Sequence, residues 1–391
     1  MLNELINWYG SPEMGGVIPE GEAFQARRLR VLEPAEYLNL SRFNQSLYAC
    51  ALAALAPTTH NTIPQRFRIE NDGAVRVFVD RKYVLPASDP EGRQAIISMG
   101  AVTEHLIQTY QTYGMDGEFV ITRSNRDAFL PYADDGSEPV VELGVFNPQA
   151  GDGEVDLSKV EAMVHRKVHR GVYDERPLVD EIKDMLIAEL QRFPSLQLHI
   201  IKSLMVKDRL GAFQAQALGH VLGNQLFREE LGRFFRLNDD AESRVGMRGR
   251  EFGRDDRTTL ILKQGMLGEG EIDAMTLQGF ARAEQDGLRS ATAVICITGE
   301  NQNLDSWVRA GMLYGKLILK LQLLGITHQM HAALTEISYF PIRLANLTLK
   351  STILHCPRRE LLSVFRIGVP VEAQPLYEKH ASKKPVEELF V

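Results

Sequence analysis

Apolar and polar positions along the first part of the chain alternate between a helical and a strand-like period. Apolar residues at helical spacing predict helices over residues 38–55 and 91–113. Alternating segments predict strands over 66–69 and 75–79, and the Asn-Asp-Gly turn between them favours a β-hairpin. Two more strands are predicted near Phe119 and Val140.

The rest of the chain shows the same alternation, interrupted by one long polar segment. The pattern predicts helices over 159–170 and 179–193, a strand over 197–201, further helices as far as Phe235, and finally the strand AVICITG, a helix over 309–325 and a last strand. Residues 237–285 are polar, charged and rich in glycine. They predict a long insertion between the regular elements, and the composition is more typical of a mobile loop than of an ordered lid.

Two pairs of segments are similar to each other. SMGAVTEHLIQTYQTYG (98–114) aligns without a gap with RAGMLYGKLILKLQLLG (309–325) at an offset of 211. Both end in glycine, which favours the left-handed conformation after a helix. VELGVF (141–146) and FRIGVP (365–370) repeat the similarity further on. One match can arise by chance, since leucine and glycine are common, but two in the same order favour an internal duplication.

The two halves are predicted to be unequal. NPQAGDGEVDLS (147–158) is poor in apolar residues and predicts a boundary, with one half over 1–150 and the other over 158–391. The first half contains LAPTTHNTIPQRFRI, where the second has the shorter LQRFPSLQLHII. The basic stretch HRKVHRGVYDERPL occurs only in the second half. Each half therefore carries a polar segment that the other lacks.

Composition excludes several classes of protein. The 44 basic and 51 acidic residues give a formal charge of −7, which argues against a general nucleic-acid binder. Cys50, Cys296 and Cys356 form no CxxC pair, and His328 and His331 have no neighbouring carboxylate or cysteine, so neither a metal site nor a disulfide framework is expected. No secretory signal or membrane-spanning run is visible, so we expect a cytoplasmic protein without membrane attachment.

The polar loop that follows the first helix offers many hydrogen-bonding groups. Thr58, Thr59, His60 and Asn61 present hydroxyl, imidazole and amide groups after Pro57, which restricts the backbone. Such a stiff ribbon is suited to bind the edge of a flat heteroaromatic ring. Local capping and turn formation by Thr and Asn is the alternative, although it does not explain the length of the ribbon.

Two basic segments are candidates for binding a phosphate. Arg166 and Arg170 would share one face of a helix, with Lys167 beside them, and guanidinium groups bind phosphate through paired, charge-assisted hydrogen bonds. Lys383 and Lys384 form a second pair near the end of the chain. Convergence of the two segments on one dianion would suit a phosphate-bearing cofactor. Either segment alone is more typical of a solvated basic surface.

These motifs resemble those of the nitroreductase (FMN-dependent oxidoreductase-like) superfamily. The ribbon is similar to the family segment A-P-S-x-x-N-x-Q-P-W, the basic stretch to its Arg-rich start, and KKPVEELF to its basic ending. LPASDPEGRQ (85–94) and SWVRAG (306–311) resemble a subgroup in which one chain contains two degenerate halves. The sequence departs from the family pattern at Ile63, Gln65 and Val168.

The resemblance implies an α+β fold of two nitroreductase-like α/β/α halves, each a mixed sheet flanked by helices, fused as an intramolecular pseudo-dimer. It implies FMN as cofactor, NAD(P)H as a possible reductant and a small organic acceptor. The cofactor would be held by the ribbon, by the basic residues and by a segment near the reactive edge of the flavin: Pro57, Thr58, Thr59, Asn61, Arg166, Lys167, Arg170, Met330, His331, Ala332, Lys383 and Lys384. No catalytic side chain is identified. The protein would be a monomeric pseudo-dimer or a weak homo-oligomer.

Three functions remain open from the sequence. The first is an FMN-dependent oxidoreductase, in which the flavin carries the hydride chemistry. The second is a protein that binds and stores flavin without catalysis, because the long segment 237–285 would restrict access of NAD(P)H. The third is a binding partner without flavin, suggested by the departures at Ile63, Gln65 and Val168.

Overall fold

The structure is a computed structural model. It describes residues 29, 31–133, 138–174, 176–238, 240, 244–336, 339–371, 383–384 and 386–391. In that part of the chain, no helix combines the length and apolar character needed to cross a membrane.

Helices and a four-stranded sheet make up the first part of the chain. In chain order these elements are α1 (Pro34–Leu38), α2 (Arg42–Ala53), β1 (Gln65–Ile69), β2 (Val75–Asp80), α3 (Arg93–Thr112), β3 (Asp116–Ile121) and β4 (Val140–Gln149). Short 3-10 turns follow α2, β2 and β3 at Thr59–Asn61, Arg81–Tyr83 and Arg126–Phe129.

The second part contains more helices and a second four-stranded sheet. Its elements are α4 (Ser158–His165), α5 (Asp180–Leu190), β5 (Gln197–Ile201), α6 (Leu204–Gly223), α7 (Gln225–Phe234), β6 (Phe235–Arg236), β7 (Met247–Arg248), α8 (Asp256–Leu267), α9 (Ala274–Ser290), β8 (Ala293–Gly299), α10 (Leu304–Leu323), β9 (Thr327–Met330), α11 (Phe340–Thr352) and β10 (Glu360–Gly368). Short 3-10 turns lie at Gly249–Phe252, Ala333–Thr335 and Val386–Leu389.

The two four-stranded sheets have the same topology. Their strand orders are β1-β2-β4-β3 and β5-β8-β10-β9, so each follows the order first, second, fourth, third. All pairings within these two sheets are antiparallel, and the predicted mixed sheets are wrong in this respect. Among the described residues, parallel pairing occurs only at the β6–β7 pair and at the single bridges Phe67–Phe390 and Val168–His328.

Burial explains the apolar strands. Every residue of β8 and β10 is buried, as expected for strands covered on both faces. In β3 exposed residues alternate with half-buried ones, as expected for a strand at the edge of a sheet. The segments VELGVF and FRIGVP belong to β4 and β10, which occupy equivalent positions in the two sheets.

Helices α3 and α10 cross at the centre of the molecule with their backbones in contact. A Cβ atom at Gly100 would overlap the carbonyl oxygen of Val308, and one at Gly311 would overlap that of Ile97. Residues 97 and 308, like residues 100 and 311, are separated by the offset of 211 found in the sequence. The contact is therefore reciprocal, and only glycine allows so close an approach.

Three predicted elements differ from the structure. The helix predicted over 38–55 corresponds to α2 and begins later, at Arg42, because Ser41 caps its start by accepting a hydrogen bond from Asn44 N, while the separate short helix α1 ends at Leu38. The helix predicted over 159–170 ends at His165, since the chain then extends and His169 N donates to His328 O beside β9. The favoured mobile loop over 237–285 is wrong, because most of α9 and all of α8 lie there, capped by Asp255 and Asp273.

We predict that Gly311→Ala lowers the free energy of unfolding by roughly 1–3 kcal/mol or more, since the new methyl group would meet backbone atoms that cannot move independently. Gly219→Ala in α6 is the matched control, because nothing lies within 4 Å of a Cβ atom there. Its stability should rise by up to about 1 kcal/mol. Urea denaturation of both variants measures the difference, and equal stabilities would contradict the close crossing.

Candidate functional site

A cavity of about 270 Å³ lies between the polar loop after α2 and the helices α6–α9. Its polar wall includes Thr58, Thr59, His60, Gln94, Ser98 and Arg170. Its apolar wall includes Leu218, Leu222, Phe227, Leu231, Met266 and Phe280. The cavity thus brings residues from both parts of the chain together, including several from segment 237–285.

The polar loop is held in a strained conformation at one edge of this cavity. His60, Asn61 and Ile63 have φ angles of 49°, 53° and 54°, in the left-handed region that non-glycine residues seldom adopt. Thr59 N donates to Ser98 Oγ at 3.2 Å, and Thr58 Oγ1 accepts from Ile63 N at 3.1 Å. Strain of this kind persists where surrounding contacts hold it, often at functional sites.

Asn61 links the loop to two other segments. Its Nδ2 donates to Gly246 O at 3.0 Å, and Gly246 N donates back to Asn61 O at 3.0 Å. Its Oδ1 accepts from Lys383 Nζ at 3.0 Å. The side chain is buried and holds the loop against its neighbours, and it is not part of the cavity lining.

Arg166 is a buried cation with unused hydrogen-bonding capacity. It is 7% exposed, and its Nη2 donates to Leu55 O at 2.9 Å. Its Nε and Nη1 atoms are buried and have no hydrogen-bond partner among the described residues. Burial lowers the pKa of this guanidinium, and no carboxylate contributes to the opposing effect, which comes from Tyr314. A guanidinium in this state is suited to bind an anion.

Lys383 approaches the same region from the end of the chain. Its Nζ donates to Ala56 O at 3.1 Å as well as to Asn61. Burial and the positive charge of Arg166 lower the pKa of Lys383 to about 7, against a smaller opposing effect of Glu251. The structure therefore brings two of the predicted cations together beside the loop.

The other predicted cations are placed differently. Arg170 lines the cavity and lies over the Phe252 ring at 4.4 Å, in a cation–π contact. Lys167 is half-buried and does not line the cavity. Lys384 Nζ donates to Ile63 O at 2.9 Å and lies 3.5 Å from the Tyr83 ring centroid, so it supports the loop from the side away from the cavity.

The segment Met330–Ala332 reaches the cavity in part. Met330 and Ala332 line it, whereas His331 is buried and its Nδ1 lies 2.5 Å from Glu284 Oε2. Burial raises the pKa of Glu284, but His331 and Gln214 outweigh this effect and lower it to about 2. Glu284 is therefore a fixed negative charge on the cavity wall. Pro57 and Val168 also line the cavity.

Sequence analysis missed several cavity residues. Gln94, Ser98, Glu284, Tyr314 and Glu336 all line it. Gln94 lies within the LPASDPEGRQ segment, and Ser98 begins the repeated helix. These two motifs could therefore have identified both residues from the sequence. Glu284 and Glu336 lie in no motif. No group of three or more His, Cys, Asp or Glu side chains in the described part of the chain could hold a metal ion.

We predict that Lys383→Met changes how stability depends on pH. The pKa of Lys383 is about 7 in the folded protein and 10.5 as an ordinary lysine, so the unfolded chain binds more protons between these values. Lys383 therefore makes stability rise with pH across this window, by at most about 1.4 kcal/mol per pH unit. The variant should lose this part of the slope.

The exposed Lys202→Met is the control, and its slope should match that of the wild type. Urea denaturation between pH 6 and 10 measures the three slopes. A Lys383→Met slope equal to that of the wild type would show that this amine is not buried beside a cation.

Comparison of the sequence with known proteins gives partial matches. The chain is 48% identical over 61 residues to an uncharacterized protein of Mycobacterium tuberculosis, which covers 15% of this chain and 18% of that protein. It is 44% identical over 57 residues to a protein of the same organism named "Putative NAD(P)H nitroreductase acg", covering 15% and 17%. Another protein named "Putative NAD(P)H nitroreductase" is 26% identical over 179 residues, covering 46% and 47%. The matches thus span less than half the length of these curated relatives.

Solved structures resemble the fold more loosely. A crystal structure described as a "putative nitroreductase" from Anabaena variabilis has a TM-score of 0.49 and 10% identity, covering 87% of this chain and 91% of that one. The FMN-dependent nitroreductase NfnB from Mycobacterium smegmatis, solved in complex with NADPH, has a TM-score of 0.37 and 14% identity, covering 59% and 96%.

No family model matches the chain, so its relationship rests on the sequence similarity together with the motifs. The matched segments of the chain are similar to proteins named as putative NAD(P)H nitroreductases.

Proposed function

We propose that the chain is an FMN-binding oxidoreductase of the nitroreductase type. The observation that carries the proposal is the buried guanidinium of Arg166, whose Nε and Nη1 have no partner among the described residues and which lies near the buried amine of Lys383. No carboxylate offsets the buried charge of Arg166, and Glu251 offsets that of Lys383 only in part, so the two cations are unfavourable unless something compensates them. A phosphate monoester provides the missing charge and the missing acceptors.

These residues fit a flavin mononucleotide. Arg166 would donate to the phosphate from its two unpaired nitrogens, and Lys383 would add a further donor. Burial raises the pKa of Tyr314, which lines the cavity, and the charges of Arg166 and Arg170 act against this effect because both lie near its hydroxyl group. The cationic group is thus adjacent to the cavity in which the ring would lie.

The ring would lie between the polar loop and the segment at the end of β9. Pro57, Thr58 and Thr59 line one side of the cavity, and Met330 and Ala332 line another. When bound, FMN would supply hydride transfer between NAD(P)H and a small organic acceptor, while the protein binds and orients the reactants. The apolar side chains of α6–α9 exclude water from the region in which transfer would take place.

We also propose that the two parts of the chain form an intramolecular pseudo-dimer. Three observations support it: the identical strand order of the two sheets, the equivalent positions of β4 and β10, and the reciprocal contacts of α3 and α10 at one constant offset. The first half, residues 1–150, would supply the flavin loop. The second half, residues 158–391, would supply the phosphate-binding cations and the cover.

A flavin store remains the second candidate, favoured by the cover of α8 and α9 over the cavity. Met266 in α8 and Phe280 in α9 line the cavity and belong to the segment predicted as a lid. If this cover excludes NAD(P)H, the protein would bind flavin without reducing it. Anaerobic addition of NADPH to the purified protein distinguishes the two, because only the oxidoreductase bleaches its flavin rapidly.

We predict that Arg166→Ala weakens binding of FMN by about 100-fold, since hydrogen bonds to a charged group contribute about 1.5–3 kcal/mol each. Titration of the flavin-free protein with FMN and with riboflavin, followed by flavin fluorescence, measures the effect. The wild type should prefer FMN, and Arg166→Ala should bind the two flavins about equally. Arg358→Ala, at an exposed position, is the control and should keep the preference.

Two results would count against the proposal. If Arg166→Ala weakens FMN and riboflavin equally, Arg166 supports the fold and does not bind phosphate. If the wild-type protein binds neither flavin, the flavin-free partner suggested by the sequence becomes the better explanation.

A further inference from the structure

One end of the cavity carries polar side-chain atoms that are buried and unused. Gln94 Nε2, Glu336 Oε2 and Ser363 Oγ each lack a hydrogen bond of good geometry among the described residues, although the Gln94 amide lies near enough to Glu336 to lower the pKa of that carboxyl. All three side chains line the cavity and are at most 7% exposed. Since buried polar atoms are normally paired, three unpaired atoms facing one space indicate a ligand that pairs them.

The neighbouring charged groups are already satisfied. Asp89 accepts hydrogen bonds from the backbone N–H groups of Gln94 and Ala95 at the start of α3. Glu230 in α7 accepts from Ala87 N at 2.7 Å and from Ser88 N at 2.9 Å. These two carboxylates are therefore committed to holding the segment before α3.

The nearby cation is also committed. Arg93 Nη1 lies 2.7 Å from Glu360 Oε1, and both side chains are buried. Glu360 Oε2 accepts from Trp307 Nε1 at 2.9 Å and from Gln302 N at 3.0 Å. Arg93 is therefore not available as an ion-pair partner for Glu336.

The surroundings of Glu336 favour its neutral form. Burial raises the pKa of this carboxyl well above its usual range, and the charges of Asp89 and Glu230 raise it further. Arg93 and the Gln94 amide act in the opposite direction with smaller effect. Tyr339, at the start of α11, also faces this group, and its own raised pKa is due first to burial and then to Glu336 and Glu230. A neutral carboxyl can donate a hydrogen bond into the cavity.

We propose that Glu336, as a carboxylic acid, and Gln94 form a subsite that binds an uncharged oxygen of the acceptor and rejects acceptors with a carboxylate there. The Glu336 O–H, the Gln94 amide N–H and the Ser363 hydroxyl can all donate to such an oxygen. Glu230, and Asp89 above its pKa, which burial raises to about 7, lie behind Glu336 without lining the cavity. Since Arg93 is paired with Glu360, their negative charges would disfavour a carboxylate at Glu336. The inference rests on the proposed function, because it assigns the recognition of that enzyme's acceptor.

The subsite also limits the shape of the acceptor. The polar atoms lie in the same cavity as the apolar side chains Leu218, Leu222, Phe227 and Leu231. A ligand that pairs the donors and fills the remaining space therefore has a neutral carbonyl or nitro group on a flat apolar body. We therefore expect the subsite to bind a neutral ligand more tightly than an anionic ligand that has the same apolar ring system.

The test uses two near-isosteric ligands, 2-acetylnaphthalene and 2-naphthoate. Their binding to the oxidised protein, as purified and without reductant, is measured by calorimetry between pH 6 and 9. We expect the wild type to bind the ketone at least about tenfold more tightly than the anion. Glu336→Leu should lose on the order of tenfold in ketone affinity, the equivalent of one hydrogen bond.

Glu336→Gln separates hydrogen bonding from structural support. It keeps a neutral donor, so it should retain ketone affinity within about threefold. Ketone affinity of the wild type should fall as pH rises and Glu336 ionises, whereas that of Glu336→Gln should stay constant with pH. Glu118→Gln, the same change at an exposed position of β3, is the control and should behave as the wild type.

Each contrary result is identifiable. Unchanged ketone affinity in Glu336→Leu, or an equal pH profile in Glu336→Gln and the wild type, overturns the subsite. Tighter binding of 2-naphthylmethylamine than of either ligand by the wild type, lost in Glu336→Gln, shows an ionised Glu336 and overturns it as well, because the comparison removes the contribution of Glu284 on the same cavity wall. Flavin content, measured by absorbance in the same samples, reports separately on the proposed function, because these ligands can be titrated whether or not flavin is present.

Discussion

Burial of positive charge that the neighbouring carboxylates do not fully compensate is the constraint on which the site depends. Arg166 and Lys383 lie close enough for one to lower the pKa of the other, and both contact the backbone of the segment that leads into the polar loop. A charge removed from water costs several kcal/mol unless it is paired. The fold accepts this cost at the place where the chain also holds three non-glycine residues in the left-handed region. Local unfavourable features that coincide in this way indicate a site prepared for a ligand.

The crossing of α3 and α10 determines where that site lies. Because Gly100 and Gly311 leave the two backbones in contact, the helices are fixed relative to each other and each sheet follows its own helix. Ser98 on α3 and Tyr314 on α10 both line the cavity close to the crossing. The same contact that joins the two parts of the chain therefore also positions the polar wall of the cavity.

The cavity has three chemically different regions, and each is built by different elements. Cations from beyond α4 and from the end of the chain, which lie beside the cavity without lining it, would provide the anion-binding region. The helices α6–α9 provide an apolar cover, and the residue pattern assigned α8 and most of α9, but not α6 and α7, to a mobile loop. Gln94, Glu336 and Ser363 provide a neutral polar end. An oxidoreductase of the proposed type needs these three features together: a phosphate-binding site, a region without water for hydride transfer, and a subsite that determines specificity for the acceptor.

Features that depend on local composition and on repetition could be predicted from the residues alone. The offset between residues 100 and 311, the Pro-Thr-Thr-His-Asn loop and the cations Arg166 and Lys383 were all identified without coordinates. Only the tertiary structure decided how these features face each other. Arg166 is extended beside β9 and not on a helix, and Lys384 turns towards Tyr83, because pairing and burial outweigh local propensity. Glu336 became significant for the same reason, since a carboxyl acquires its protonation state from neighbours that are distant in sequence.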